Sequence, residues 1–406
     1  MSTPAAAGQP GPSAGLPAAD QNARSRPGQR RTPSARRGRA AGAGPASQQV
    51  PAVRRLLTWR GPLGGRGRVA RRREAAAGWL FCAPAVLLLI VFLVIPIGVA
   101  AWVSISNWDG IGSPFSAGVS SVGLHNYQAL LTQGGLPQQQ LAQSLANNLF
   151  YVLLVVPLQT ALSLFLAVVV SRRYLAGRGF FRTAFYFPAV TSSVAISMVF
   201  LFLFSQAGVV NSALGYLGVH GPNWFDDPRG LLHLALSGLG VTKGPAVLAS
   251  HGFLGQSWWT WLAGPSIAMV ALIALAVWTT SGTFMLLFLP ALQNISAGVE
   301  EAAIVDGASA WTRFRRITLP LLRPTVFLVL TLGLIGTWQV FDQIFLISQG
   351  NPAETTLTPA YLAYVTSFNN QQWGQGAAIA FILFAIIVVL TVGQRFLLRG
   401  GKDMTL

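Results

Sequence analysis

The hydrophobic residues of this chain come in long uniform blocks rather than at helical or strand periods. Residues 80–103 hold no charge over 24 positions, enough helix to cross the ~30 Å hydrocarbon core of a bilayer. Comparable blocks follow at 149–170, 184–204, 267–289, 325–346 and 376–398. Segments apolar on every face belong in a membrane or a deep core. The pattern therefore predicts an all-α polytopic membrane protein with six transmembrane helices over 78–398. The last block runs into Gln394 and Arg395, whose polar ends can reach the interface. A shorter stretch, 231–241, contains His233 and reads as an interfacial or loop helix. Residues 1–77 are rich in Ala, Gly, Pro, Ser and Arg. Such a segment buries too little apolar surface to offset its ordering entropy, so a disordered Arg-rich tail is expected, with 399–406 as a short polar end.

Composition sharpens this reading. Hydrophobic residues make up 52% and charged residues 10% of the 406, against about 25% charged in soluble domains. The net charge of +17 suggests nucleic acid until it is located: residues 1–75 hold 15 Arg against Asp20 and Glu74. The basicity belongs to the tail, so the body needs no nucleic-acid partner. Arg-rich, acid-poor composition is also that of an organellar transit peptide, but a cytoplasmic tail beside anionic lipid is the simpler reading. The first block exceeds the ~7–15 residues of a signal-peptide core and no cleavage site follows it, so it is read as a span. One cysteine, Cys82, excludes a disulfide framework and Cys-rich metal or iron–sulfur sites; within the first block it reads as a packed thiol.

Charge also orients the spans. Of the 28 Lys and Arg, 26 fall in the tail, at Arg172, Arg173, Arg178 and Arg182, at Arg313, Arg315, Arg316 and Arg323, and at Arg395, Arg399 and Lys402. These segments alternate with the spans; the other connections carry only Arg229 and Lys243. The positive-inside rule then places both termini in the cytoplasm.

The most informative connection is 300–320. Glu300 and Glu301 stand at the start of one short helix, where the dipole favours anions. Gly307 can take the left-handed conformation that ends it, Ser309 can cap a second helix, and Pro320 is expected to stop that one. Ala302 and Ala303 would let another protein approach closely. Trp311, Phe314, Ile317 and Leu319 are more apolar than a bare polar loop requires, and exposed apolar residues mark docking. The segment resembles the coupling loop of binding-protein-dependent ABC importer permeases, whose signature is E-A-A, three residues, G, nine residues and I-x-L-P. Glu301, Ala302, Ala303, Gly307, Ile317, Leu319 and Pro320 fill each position. Asp306-Gly307-Ala308 is similar to the carbohydrate-uptake branch of that family. So are Phe180-Phe181-Arg182-Thr183 with Pro188, Asn107-Trp108 with Gly123-Leu124-His125-Asn126-Tyr127, and Gly350-Asn351-Pro352 with Thr355 and Thr356. The resemblance spans about 78–398; the long tail and an enlarged connection at 205–265 depart from it.

The resemblance implies a permease fold of the type I importer kind in a bacterial plasma membrane. It further implies a second homologous permease in a heterodimer, two ATPase subunits and an extracytoplasmic solute-binding protein. ATP and Mg would be used by the partner ATPase, and no cofactor is expected on this chain. Consistent with that, Gly401-Lys402 precedes Asp403 rather than Ser or Thr, so no Walker A motif is present. His125, His220, His233 and His251 show no metal-ligand spacing. Asp342 is the one carboxylate within a span, a residue expensive to keep there and so a pathway candidate. At four-residue spacing it would share a helix face with Trp338, with Gln339 and Gln343 beside it, groups suited to the faces and hydroxyls of a sugar. Trp278, Thr279, Thr280 and Ser281 are weaker candidates, because Ser and Thr also serve helix packing. A glycerol-phosphate importer would want cations in the spans. An ion-coupled secondary transporter would want several membrane carboxylates, and a membrane hydrolase a nucleophile–base or metal set.

Overall fold

The computed structural model describes residues 66–171, 176–241 and 245–398; the tail at 1–65 and the end at 399–406 lie outside them. The first apolar segment is a rod of α1 (Arg66–Leu89), a π-helical turn at Ile90–Val94 and α2 (Ile95–Ser104). Helix already exists at Arg66, so residues 66–77 are not the irregular tail end expected. Arg and Ala are strong helix formers, and lengthening an existing helix needs no new nucleus. The rod is exposed over 71–98, with only its end at Val103 and Ser104 buried, and Cys82 is exposed on it rather than packed.

After α3 (His125–Leu131), α4 runs from Leu136 to Ser171, well ahead of the boundary expected at 149. Its added turns are Gln- and Leu-rich, which continue a helix readily outside hydrocarbon. The third apolar block is not one helix. It divides into α5 (Arg178–Val190) and α6 (Ser193–Leu203), bent by 97°. Pro188 removes an amide donor, and the Thr191 hydroxyl caps the Phe187 carbonyl at 2.8 Å, so local polar groups support the break. The long connection holds α7 (Val209–Tyr216), α8 (Leu231–Gly238), α9 (Ala246–Ser250), the two-stranded β1 (Gly252–Phe253) and β2 (Gln256–Ser257), and α10 (Trp258–Trp261). α8 is the loop helix expected at 231–241.

α11 (Ile267–Gln293) is continuous. It is followed by α12 (Ala297–Val305), α13 (Ala310–Arg313), a π-turn at Phe314–Thr318 and α14 (Leu319–Leu321). α15 (Arg323–Trp338) leaves this run at 69°. The expected single span at 325–346 is broken too: α15 ends at Trp338, and a π-turn at Ile344–Ser348 follows an irregular stretch. The freed carbonyls find partners, Asn148 Nδ2 donating to Trp338 O at 3.3 Å and Thr358 Oγ1 to Val340 O at 3.2 Å. α16 (Pro359–Tyr364) precedes α17 (Trp373–Leu398). Among the described residues four helices are long and apolar enough to cross a membrane, and six segments when each bent pair counts once.

Two of the apolar clusters join α4 to α11. One joins Tyr151 and Val155 to Leu272, Ala276, Ile344 and Ile379; the other joins Ala167 and Val170 to Met285, Phe288, Leu289 and Val329. Between them α5 crosses α11 so closely that a Cβ on Gly282 would strike the Phe185 carbonyl. Gly282→Val should therefore lower the melting temperature of the detergent-solubilised protein, for a cost of about 1–3 kcal/mol from overpacking. Gly393→Val, where a Cβ meets nothing within 4 Å, should melt like wild type. Equal melting of the two variants would contradict the close crossing.

Candidate functional site

The layer between the two apolar clusters is polar. On α4 it comprises Gln159, Thr160 and Ser163, all buried, and on α11 it comprises Thr279, Thr280 and the buried Ser281. Thr280 Oγ1 lies 2.6 Å from Gln159 Oε1 and 2.7 Å from Ala276 O, so its one proton serves either acceptor. Gln159 Nε2 has no hydrogen-bond partner among the described residues, and neither has the buried hydroxyl of Ser197 on α6. Unmade donors in such a place cost about 1–3 kcal/mol each.

Gln159 and Ser197 each line a cavity, whereas Trp338 Nε1, also without a partner among the described residues, lines neither. One of about 270 Å³ is bounded by Tyr151, Gln159, Thr280, Gly333, Gln339, Asp342 and Gln343. A second of about 250 Å³ is bounded by Thr191, Ser193, Ser197, Thr279, Thr280 and Gln343. Thr280, Phe284 and Gln343 line both, so the cavities adjoin. They open where the two spans are broken, and the breaks face each other: Ser193 Oγ donates to Asp342 Oδ2 at 3.2 Å. No Arg or Lys is among the lining residues.

The sequence candidates divide accordingly. Gln339, Asp342, Gln343 and Thr279 line these cavities. Trp338 does not; it is buried among Val152, Val156, Leu383 and Ile387. The expected shared face of Trp338 and Asp342 is absent because α15 ends between them. Trp278 is half exposed and packs at a tilt of 41° against Phe200, ring centroids 5.5 Å apart, outside both cavities. Gln159 and Ser197 escaped the sequence reading. A lone amide in an apolar span was the available signal for Gln159.

The connection 297–321 forms the second feature. α12 ends in a Schellman motif, with Gly307 N donating to Ile304 O and Ala308 N to Ala303 O, both at 2.9 Å. Gly307 has φ +72°, and Ser309 Oγ accepts from Thr312 N at 3.2 Å to cap α13. Pro320 does not stop the second helix; α14 carries through it to Leu321, because the π-turn before it already shifts the bonding ladder. Glu300 lies in the first turn of α12. Trp311 and Leu319 are exposed, Phe314 and Ile317 half-buried, Ala302 exposed and Ala303 buried. Two more exposed apolar residues, Ile304 and Val305, complete the face; no spacing had singled them out.

Residues 159–400 match the family of the binding-protein-dependent transport system inner membrane component. The chain belongs to that family. It is 30% identical over 328 residues to the lactose transport system permease protein LacF of Rhizobium radiobacter, covering 80% of this chain and 95% of that one. It is 27% identical over 321 residues to the trehalose/maltose transport system permease protein MalF of Thermococcus litoralis, covering 79% and 92%. Its fold matches, at TM-score 0.60 and 19% identity over 84% of this chain and all of the other, a bacterial ABC transporter involved in the import of the acidic polysaccharide alginate. The permease is thus a polytopic membrane subunit of a transport system.

The Schellman motif in this permease makes a local prediction. Gly307→Val meets the steric penalty of positive φ, roughly 1–2 kcal/mol, so amide exchange at 306–308 should rise while the spans keep their protection. Unchanged exchange there would show that the motif does not hold the end of α12.

Proposed function

We propose that this permease forms the translocation pathway of an ATP-driven importer for a neutral sugar or oligosaccharide. The observation that carries the reading is the polar layer with two adjoining cavities, enclosed between apolar clusters where the spans break. Irregular backbone at membrane depth is tolerated only where protein or a water-filled cavity covers it. Unpaired amide and hydroxyl donors with carboxylate and amide acceptors suit a ligand made of hydroxyls. Named relatives that transport lactose, trehalose and maltose support the substrate class. Glycerol phosphate is the second reading, and it is weaker because no cation lines the cavities among the described residues.

The partners follow from the same reading: a second homologous permease, two ATPase subunits that hydrolyse ATP, and a solute-binding protein on the far side. A fold neighbour was solved with an alginate pentasaccharide-bound periplasmic protein, which supports the last. The basic segments support a cytoplasmic side for both termini and the connection 297–321. There the exposed Ile304, Val305 and Trp311 seat in an ATPase groove, with Glu300, Glu301, Ala302 and Asp306 around them. α14 passes the movement to α15, whose far end meets the cavities. Alternating access is then a rocking of α15 against α4 and α11.

Two measurements on the complete importer in proteoliposomes test this. Glu301→Arg should insert and assemble, yet uncouple sugar-stimulated ATP hydrolysis from uptake; wild-type coupling with the ATPase still bound would make the connection a mere linker. Gln159→Leu removes an orphan donor and should leave stability intact. Uptake should fall about tenfold, the worth of one buried hydrogen bond to the solute. Undiminished uptake with unchanged KM would remove Gln159 from the pathway.

A further inference from the structure

A larger cavity, of about 630 Å³, lies at the opposite end of the bundle from 297–321. That volume is within the ~300–1,000 Å³ of small-molecule sites. Its floor is the first part of α4, where Gln139, Gln143 and Asn147 line it; its walls are the long connection, through His233 and Trp259, and Glu354.

The wall is a built structure. Asp227 is buried, accepts the Arg229 amide at 3.0 Å and takes Arg229 Nε at 2.9 Å. Those side-chain hydrogen bonds from Arg229 hold the Asp227 carboxyl below the usual carboxylate range. Leu231 N donates to Pro265 O at 3.0 Å and Ile267 N to Arg229 O at 3.2 Å, which clamps the base of the connection to the start of α11. Above the clamp the His233 and Trp259 rings stack at 4.4 Å and 17°, and His233 Nε2 lies 3.1 Å from Trp259 O. Glu354 accepts from Gln140 Nε2 at 2.8 Å, and Asn147 Nδ2 donates to Glu354 O at 2.7 Å. Arg229 is paired with Asp227, so among the described residues the site offers a ring platform, amides and one carboxylate, and no unpaired cation for an anionic ligand.

The floor also leads somewhere. Gln139, Gln143 and Asn147 recur every four residues on α4, and Tyr151, Val155 and Gln159 continue the row. Rows at that spacing form a continuous ridge on a helix surface. The first three residues line the large cavity and the last three line the membrane cavity.

We propose that the large cavity is an entry subsite for a neutral saccharide. A glycosyl ring rests against the Trp259–His233 pair and its hydroxyls are taken by Gln139, Gln143 and Glu354, at the outer end of the α4 row that continues through the buried Tyr151 and Val155 to Gln159. The inference rests on the saccharide reading above. The enlarged connection thereby acquires a role in recognition.

The test uses the complete importer in nanodiscs and two photoreactive probes, lactose and maltotriose each carrying a diazirine at the reducing end, with uptake of the unmodified sugars measured in parallel. Irradiation should place adducts in the peptides covering 136–147 and 228–264. Trp259→Ala should reduce them about tenfold and raise the uptake KM with little change in the maximal rate. Trp259→Phe keeps a ring platform and should restore both, which separates recognition from folding of the connection. Uptake of either sugar with adducts confined to 151–159 and 275–284, or outer adducts unaffected by Trp259→Ala, would overturn the subsite alone. Failure of Trp259→Phe to restore labelling would do the same. Neither uptake nor labelling by wild type would overturn the saccharide reading and the subsite with it.

Discussion

A polar layer held between two apolar clusters is the constraint on which the rest of the structure depends. In hydrocarbon a backbone or side-chain donor has no water to turn to, so each must be satisfied internally or open onto a cavity. Gln159 on α4 and Thr280 on α11 satisfy each other in part, yet Gln159 Nε2 and Ser197 Oγ stay unpartnered. An apolar core would be the more stable solution for a passive bundle. Retaining unmet donors makes sense where a polar solute, or water in its absence, completes them. The two broken spans obey the same logic, since both breaks open onto the layer and touch each other through Ser193 and Asp342.

The breaks also give the bundle its mechanics. α15 is joined to 310–321 at a 69° corner and ends at the cavity. On the proposed function, a push on the exposed face of Ile304, Val305 and Trp311 would reach the polar layer through α14 and α15. α4 and α11 are continuous through the layer and, on the proposed function, would be the frame against which α15 rocks. Gly282, which lets the α5 carbonyls lie on α11, keeps that frame tight on the other side.

Much of this was legible in the sequence, and the limits were physical. The existence and order of the apolar segments follow from uncharged block length alone. The 300–320 connection could be read down to its Gly307 hinge and Ser309 cap, because those are local backbone requirements tied to residue type. The breaks in the third and fifth spans were not legible, since hydropathy measures burial in lipid and says nothing about whether a helix continues. In the fifth, the carbonyls of Trp338 and Val340 are satisfied by Asn148 and Thr358, which lie outside the segment. For the same reason Trp338 and Asp342 looked like neighbours on one helix face when no helix joins them. Exposure of Ile304 and Val305 could not be seen either, because alternation means little in a nine-residue helix.

The account stands on the polar layer being reached by water from alternate sides. The direct measurement is the reactivity of a cysteine at position 197, introduced as Ser197→Cys in a Cys82→Ser background, toward a membrane-impermeant thiol reagent in the reconstituted importer. The account predicts modification from one side in the nucleotide-free state, from the opposite side in the ATP-trapped state, and protection by the transported sugar. A cysteine that stays unreactive from both sides in both states, while a lipid-soluble thiol reagent labels it, would contradict the account.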